Sequence, residues 1–297
     1  MTTALALIQQ ACYEANLPSV PTTLLSLTDP TQLQYLNLFY GICQELRGKK
    51  YWPQLKKTHT FTSVANATGY QLPQDFYAAI PITHWDQTNH WEMLGPMDDT
   101  GWNTVLYGLT TLENRTIYRI FGPDMNPNST TGQFKVWPTT APANHTLSFD
   151  YIMSSFLYPA NWTATTGYTT PKYVNVNGYI LKLKTNGTSG STAPAIPSTL
   201  TNDITDGTAV WNVYLPGYET IVADTDICLF DSRVMIAGLK YAFYKARGMD
   251  YTVYENEYRT QADLAFARWN TMSLVSLNSQ GFTLSGLNPN VAPGGYL

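Results

Sequence analysis

The sequence predicts an α+β protein: a helical bundle drawn from both chain ends, an inserted β-sandwich or barrel-like domain, and an appended small β module. Three observations predict it. Apolar residues recur every three to four positions near both termini, as they do on one face of a helix. Between them the period drops to two, over short runs punctuated by Gly and Pro, which is the pattern of many short strands. Inside that β region the composition changes again, to Thr, Gly, Ser, Asn and Pro with few aliphatics. The expected divisions are 1–57 for the first helices, 58–157 for the β domain, 158–217 for the small module, 218–275 for a helical hairpin and 276–297 for an extended tail.

The first helix is expected over Thr3–Asn16, with Leu5, Ile8, Cys12 and Ala15 inward and Leu17-Pro18 as its stop. Asp29-Pro30 opens the second, an N-cap followed by Pro at the first helical position. Leu33, Leu36, Tyr40, Cys43 and Leu46 supply its apolar face, and Gly48 ends it. Strands follow at 58–62, 70–72, 80–85, 116–121, 133–137 and 146–151, with a short helix or turn at 101–112. In the small module, strands are expected at 179–184 and 209–214, with a surface loop at 186–197.

The hairpin at 224–274 is the best-marked element. Asp231 or Ser232 caps its first helix, Ile236, Leu239 and Phe243 form one stripe, and Gly248 supplies the left-handed position after Arg247. Asp250 restarts the chain. Tyr254, Tyr258, Ala262, Ala265, Trp269 and Met272 then recur at spacings of four and three, an almost heptad seam. Such a hairpin needs partners to bury its faces, and this seam is expected at a subunit interface. The tail after it is uncharged and rich in Gly, Pro and Asn, with Phe282, Leu284, Leu287, Val291, Tyr296 and Leu297 as its apolar anchors. It cannot build a core alone, so it orders on a partner or not at all.

Charged residues make up only 13% of the 297 positions, about half the usual share, so much of the surface must be neutral polar or covered. A net charge of −4 argues against a dedicated nucleic-acid binder, which needs clustered Lys and Arg. The one short basic run, 47–57, reads as a solvated helix end. Cys12, Cys43 and Cys228 have no metal spacing and read as buried free thiols of a reducing cytosol. No apolar run reaches the roughly 18 residues of a membrane span, and no signal-peptide pattern opens the chain.

Chemistry is sparse. His84, Asp86, His90 and Glu92 lie close together, but no metal-ligand spacing fits them, and packing is the plainer reading. Residues 202–207 lack the bidentate Glu of a calcium loop and read as a turn. There is no phosphate loop, nucleophile elbow or HExxH helix. With four histidines, none beside an obvious nucleophile, no enzyme activity and no cofactor are expected. Trp162 and Trp211 are candidates to stack on sugar rings, against the plainer reading of Trp211 as the anchor of a small core.

Taken together, several segments resemble the head-to-tail adaptor (connector) proteins of short-tailed bacteriophages. They are Tyr70-Gln71-Leu72-Pro73-Gln74-Asp75-Phe76, Leu94-Gly95-Pro96 with Trp102, Tyr118-Arg119-Ile120, Leu147-Ser148-Phe149-Asp150-Tyr151, and the block from Asp224 to Tyr258. That block contains Ala237-Gly238-Leu239-Lys240 and Ala246-Arg247-Gly248-Met249-Asp250-Tyr251. Their order covers 1–157 and 218–275. Residues 187–211 look like a small β module of phage tail and virion proteins, which departs from the simplest adaptors. The resemblance implies a homo-oligomeric ring, a dodecamer, in the neck of the virion, assembled in the host cytoplasm. Its implied partners are the portal protein, the tail nozzle and tail fibre proteins. Genomic DNA would pass through the ring at ejection without sequence-specific binding, and no membrane is involved. The tail residues from Phe282 to Leu297 are the implied portal contact. A nozzle or tube component is the alternative within that class, and a glycan-binding virion module the alternative outside it.

Overall fold

The computed structural model describes residues 2–65, 67, 69–73, 75–107, 116–121, 134–137, 144–196, 203–214 and 218–269. Helix α1 (Ala4–Glu14) starts where the Thr3 hydroxyl accepts the Ala6 amide, and buries Leu7, Ile8 and Ala11. Helix α2 (Pro30–Lys49) starts at Asp29, whose carboxylate accepts the Thr31 amide. Strands β1 (Lys56–Thr62), β2 (Phe76–Ala79), β3 (Trp85–Asp86) and β4 (Trp91–Glu92) come next, then α3 (Asp99–Tyr107). After β5 (Ile117–Ile120) and β6 (Phe134–Trp137) runs the long β7 (Thr146–Met153), followed by β8 (Leu157–Tyr158). The small module holds β9 (Gly167–Tyr168), β10 (Tyr173–Val176), β11 (Tyr179–Thr185), β12 (Gly187–Thr188), β13 (Ile204–Asp206) and β14 (Ala209–Val213). The chain closes with β15 (Ile227–Cys228), α4 (Ser232–Ala246) and α5 (Thr252–Trp269).

The mixed α+β character is there, but the architecture expected from the sequence is corrected. There is no clear two-ended helical bundle: α1 and α2 each lie on α4 and scarcely touch one another. Nor do the strands close into a sandwich or barrel. Among the described residues they form five separate antiparallel sheets, the largest ordered β1-β7-β3-β4 with β2 also on β7. One apolar core runs without a break from Leu7 and Phe39 through Phe230 and Met235 to Phe149 and Phe134, so helices and main sheet are layers over one core. The reason is pairing. β15 joins β8, and Thr3 bridges to Ile227, so backbone bonds sew the first and last helices onto the β material. Short strands broken by Pro and Gly cannot supply the continuous edges that a closed barrel needs.

Smaller differences have local causes. Helix α2 buries Tyr35, Phe39, Ile42, Cys43 and Leu46, while Leu33 is exposed. Its apolar residues permit two overlapping stripes, and Tyr35 against Phe243 (5.5 Å between rings) selects the one that meets α4. The strand expected at 80–85 is interrupted. β2 ends at Ala79, and Ile82 takes a left-handed φ of 62° before β3 begins. Tyr70 makes one bridge, to Phe134, rather than a strand. Helix α3 starts two residues before the expected 101, where Asp98 accepts the Gly101 amide at 2.7 Å. The loop at 186–197 contributes β12, which pairs with β9. Arg47, read as solvated, is instead packed beneath the Tyr77 ring and paired with Glu219 at 3.1 Å.

Candidate functional site

Helix α4 is the axis on which the expected interface residues are arranged. Asp231 accepts the Arg233 amide at 2.9 Å and starts it, and Gly248, at φ 67°, ends it. Asp250 then accepts the Thr252 amide and starts α5. Gly238 sits where the three helices converge. A Cβ there would lie 3.0 Å from the Ile42 side chain and 3.1 Å from the Tyr258 ring, so the missing side chain lets α2 and α5 close onto α4. Tyr258 is buried and stacks on Tyr241 with ring centres 5.7 Å apart, and Tyr254 stacks on Tyr244 at 4.3 Å. Ala265 is buried and Ala262 half-buried. The described part of the seam therefore packs within the chain. Lys240 reinforces it, reaching Glu257 at 3.0 Å and Glu14 at 3.3 Å. The opposite side of the hairpin is different: Val253 is 72% exposed and Leu264 49%. The Trp269 side chain, Met272 and all six tail residues, Phe282, Leu284, Leu287, Val291, Tyr296 and Leu297, lie outside the described residues.

In the small module the two tryptophans meet at one carboxylate. Asp206 is buried and accepts the Trp162 indole N–H at 2.7 Å, the Trp211 indole N–H at 3.1 Å and the Gly190 amide at 2.7 Å. Trp211 is fully buried among Val174, Leu181, Leu183 and Ile204, so neither of its faces is open to a sugar. Trp162 is partly buried against the same cluster. Sequence reading took 202–207 for a turn, and Gly207 does turn there, at φ 63°. It missed Asp206 as the hub, because an Asp-Gly pair already has a sufficient local explanation.

His84, Asp86, His90 and Glu92 point to different surroundings. His84 is buried in a parallel stack, 4.0 Å from the Tyr118 ring centre and 5.2 Å from Phe149, and neither ring nitrogen has a hydrogen-bond partner among the described residues. Burial pushes its pKa down to about 4, so the ring is neutral at physiological pH. Asp86 is buried too. It accepts the Thr88 and Asn89 amides, both at 3.0 Å, and meets His145 Nδ1 at 3.1 Å, which ties the β3 turn to the start of β7. His90 and Glu92 are exposed. Among the described residues no group of three His, Cys, Asp or Glu is placed to hold a metal ion. Asp224 and Asp226 do not form a catalytic pair either. Asp224 clasps Leu24 N and the Thr23 hydroxyl, both at 2.7 Å, while Asp226 accepts the Val222 and Ala223 amides and the Tyr218 hydroxyl.

Three clefts among the described residues bear on a binding role. One of about 770 Å³ at the end of α2 is lined by Arg47, Lys49 and Lys50, but each cation is matched, to Glu219, Glu45 and Asp263 respectively. A second, of about 500 Å³, lies between α2 and α4 beside Gly41. The third, of about 590 Å³, opens on the outer face of the main sheet around Trp85. Sequence reading missed it, although His84-Trp85-Asp86 carried a signal: with His84 and Asp86 buried, strand alternation sends Trp85 outward.

No protein-family model matches the chain, and no curated protein matches it either.

Proposed function

We propose that this chain is a structural, non-enzymatic virion protein, a head-to-tail adaptor that forms a ring between portal and tail nozzle and extends the DNA channel. Helix α5 supports the reading most directly. It is 18 residues long, yet among its described residues only Tyr258 and Ala265 are buried in its own chain's core, and Val253 and Leu264 are left in solvent. An outer face of this kind is what a head-to-tail contact between copies would cover. A heterologous contact that closes on itself makes a ring, and obligate contacts bury on the order of 2,000 Å² or more. The low charge content fits a surface largely covered by neighbours, and the matching of Arg47, Lys49 and Lys50 in the cleft at the end of α2 fits a channel along which DNA slides without salt-dependent attachment. The uncharged tail, with Phe282, Leu284, Leu287, Val291, Tyr296 and Leu297 as anchors, supplies the portal contact.

Size-exclusion chromatography with light scattering, with and without purified portal, tests the reading. The full chain should join the portal in a defined multiple. A chain lacking 276–297 should keep its circular dichroism spectrum and lose the portal. Unchanged portal binding by the shortened chain would refute the docking role, and binding to adaptor rings without any affinity for portal would make the chain a nozzle component.

A further inference from the structure

The geometry points to a second, independent binding site: the cleft on the outer face of the main sheet is a saccharide site that takes a neutral pyranose on the Trp85 ring. It does not depend on the adaptor reading, since every residue it uses lies in the described β region.

Trp85 is 43% exposed although it sits in the middle of a sheet, hydrogen-bonded through its backbone between Ser148 and Glu92 on the two neighbouring strands. Its indole N–H has no partner among the described residues. The strand thus fixes where the ring is rooted while part of it stays wet, and a free indole of this kind offers an apolar plane beside a polar handle. Ile82, 75% exposed in its left-handed turn, stands at the rim and makes the surface concave. The volume of about 590 Å³ lies within the roughly 300–1,000 Å³ range of small-molecule clefts and suits a short oligosaccharide.

The polar groups decide the class of ligand. The carboxylate in the cleft lining, Asp150, is already matched by Lys56 at 2.7 Å and accepts the Thr58 hydroxyl at 2.6 Å, so the lining itself carries no unmatched carboxylate for a cationic ligand. Gln87 donates to the Ser148 hydroxyl at 2.8 Å, which fixes the amide at the edge of the cleft. His90, at the other end of the same β3–β4 turn, also lines the cleft and is exposed, with no hydrogen-bond partner among the described residues. A pyranose presents a C–H face to the indole and hydroxyls around its perimeter, and Gln87, His90 and the Asp150 oxygens stand where those hydroxyls would be. A protein loop would call instead for a broader apolar floor than one indole provides.

The test uses the full chain on a microarray of bacterial surface glycans, followed by calorimetric titration with maltotetraose, cellotetraose and chitotetraose. Binding to neutral glycans is expected. It should weaken about tenfold or more in Trp85→Ala and measurably in His90→Ala, and survive in Trp162→Ala, which touches only the small module. Trp85→Phe should recover part of the loss. Trp85 and His90 are exposed, so each variant should keep the parent's circular dichroism spectrum, with a slightly lower thermal midpoint for His90→Ala because residue 90 stands at φ 59°, and His90→Ala carries the test if Trp85→Ala does not fold. Absence of binding to every glycan overturns the inference, as does binding that persists in both Trp85→Ala and His90→Ala. Loss of a protein partner rather than of glycan in Trp85→Ala would overturn it too, and would make the cleft a protein contact.

Discussion

Two buried polar side chains invite comparison, Asp206 in the small module and His84 in the main body. Each is about 1–4% exposed, and each sits among aromatic rings. Asp206 has three donors within 3.1 Å; His84 has no hydrogen-bond partner among the described residues and is kept neutral by burial. The difference follows from how much apolar surface each region commands. The main body surrounds His84 with Tyr118, Phe134 and Phe149 and can tolerate an unpaired ring that behaves as one more aromatic. Among its described residues the small module has eight buried hydrophobic residues to organise. It gains its order from a polar hub that sets the positions of two tryptophans and of the β12 loop. A satisfied polar network specifies geometry, and a stack of rings mainly excludes water.

The comparison is broken most severely at Asp206. Asp206→Ala leaves two indole N–H groups and the Gly190 amide without an acceptor, a loss of about 3–5 kcal/mol to the module. Hydrogen exchange should report it as faster amides across 179–213, while the α4 amides of 234–243 keep their protection. Equal loosening of both regions would show that the module is not stabilised separately. Asp206→Asn retains an acceptor oxygen and should cost less.

The second break is a change of pH. An ordinary imidazole titrates near 6.5 and His84 near 4, so between those values the unfolded chain takes up a proton that the folded chain refuses. Stability is therefore full above about pH 6.5, falls as the pH drops, and by about pH 4 has lost roughly 3 kcal/mol from this ring. Thermal melts across that range should show a shallower fall in His84→Phe than in the parent. Identical slopes would mean that the ring opens to water before it titrates.

How much of this was legible follows the range of the interactions. Both ends of α4 and the start of α5 could be read from Asp231, Gly248 and Asp250, because capping is settled within three residues. The positions of β1, β5, β6 and β7 were legible from alternation. Their assembly was not: the pairing of β15 with β8, and the two-sided role of α4, depend on partners 70 to 230 residues away that no local period records. The face of α2 was misjudged for the same reason, since only Phe243 decides between its two stripes. At the candidate sites, the buried state of Trp211 was within reach, but Asp206 and Trp85 were concealed by plausible turn and strand readings.

The smallest test concerns a polar group that is satisfied and yet partly open to solvent. Asp231 accepts one amide, from Arg233 at 2.9 Å, and stands 3.6 Å from Arg268 on α5. Water can replace both partners, so nothing is left buried and unpaired when the carboxylate is removed. Asp231→Ala should therefore cost only about 1 kcal/mol, the usual loss of an N-cap, with little from the exposed ion pair. Chemical denaturation with an unchanged slope is the measurement. If the loss approached that of Asp206→Ala, the contrast would not lie in burial, and the start of α4 would have to be counted with the structural hubs rather than with the surface.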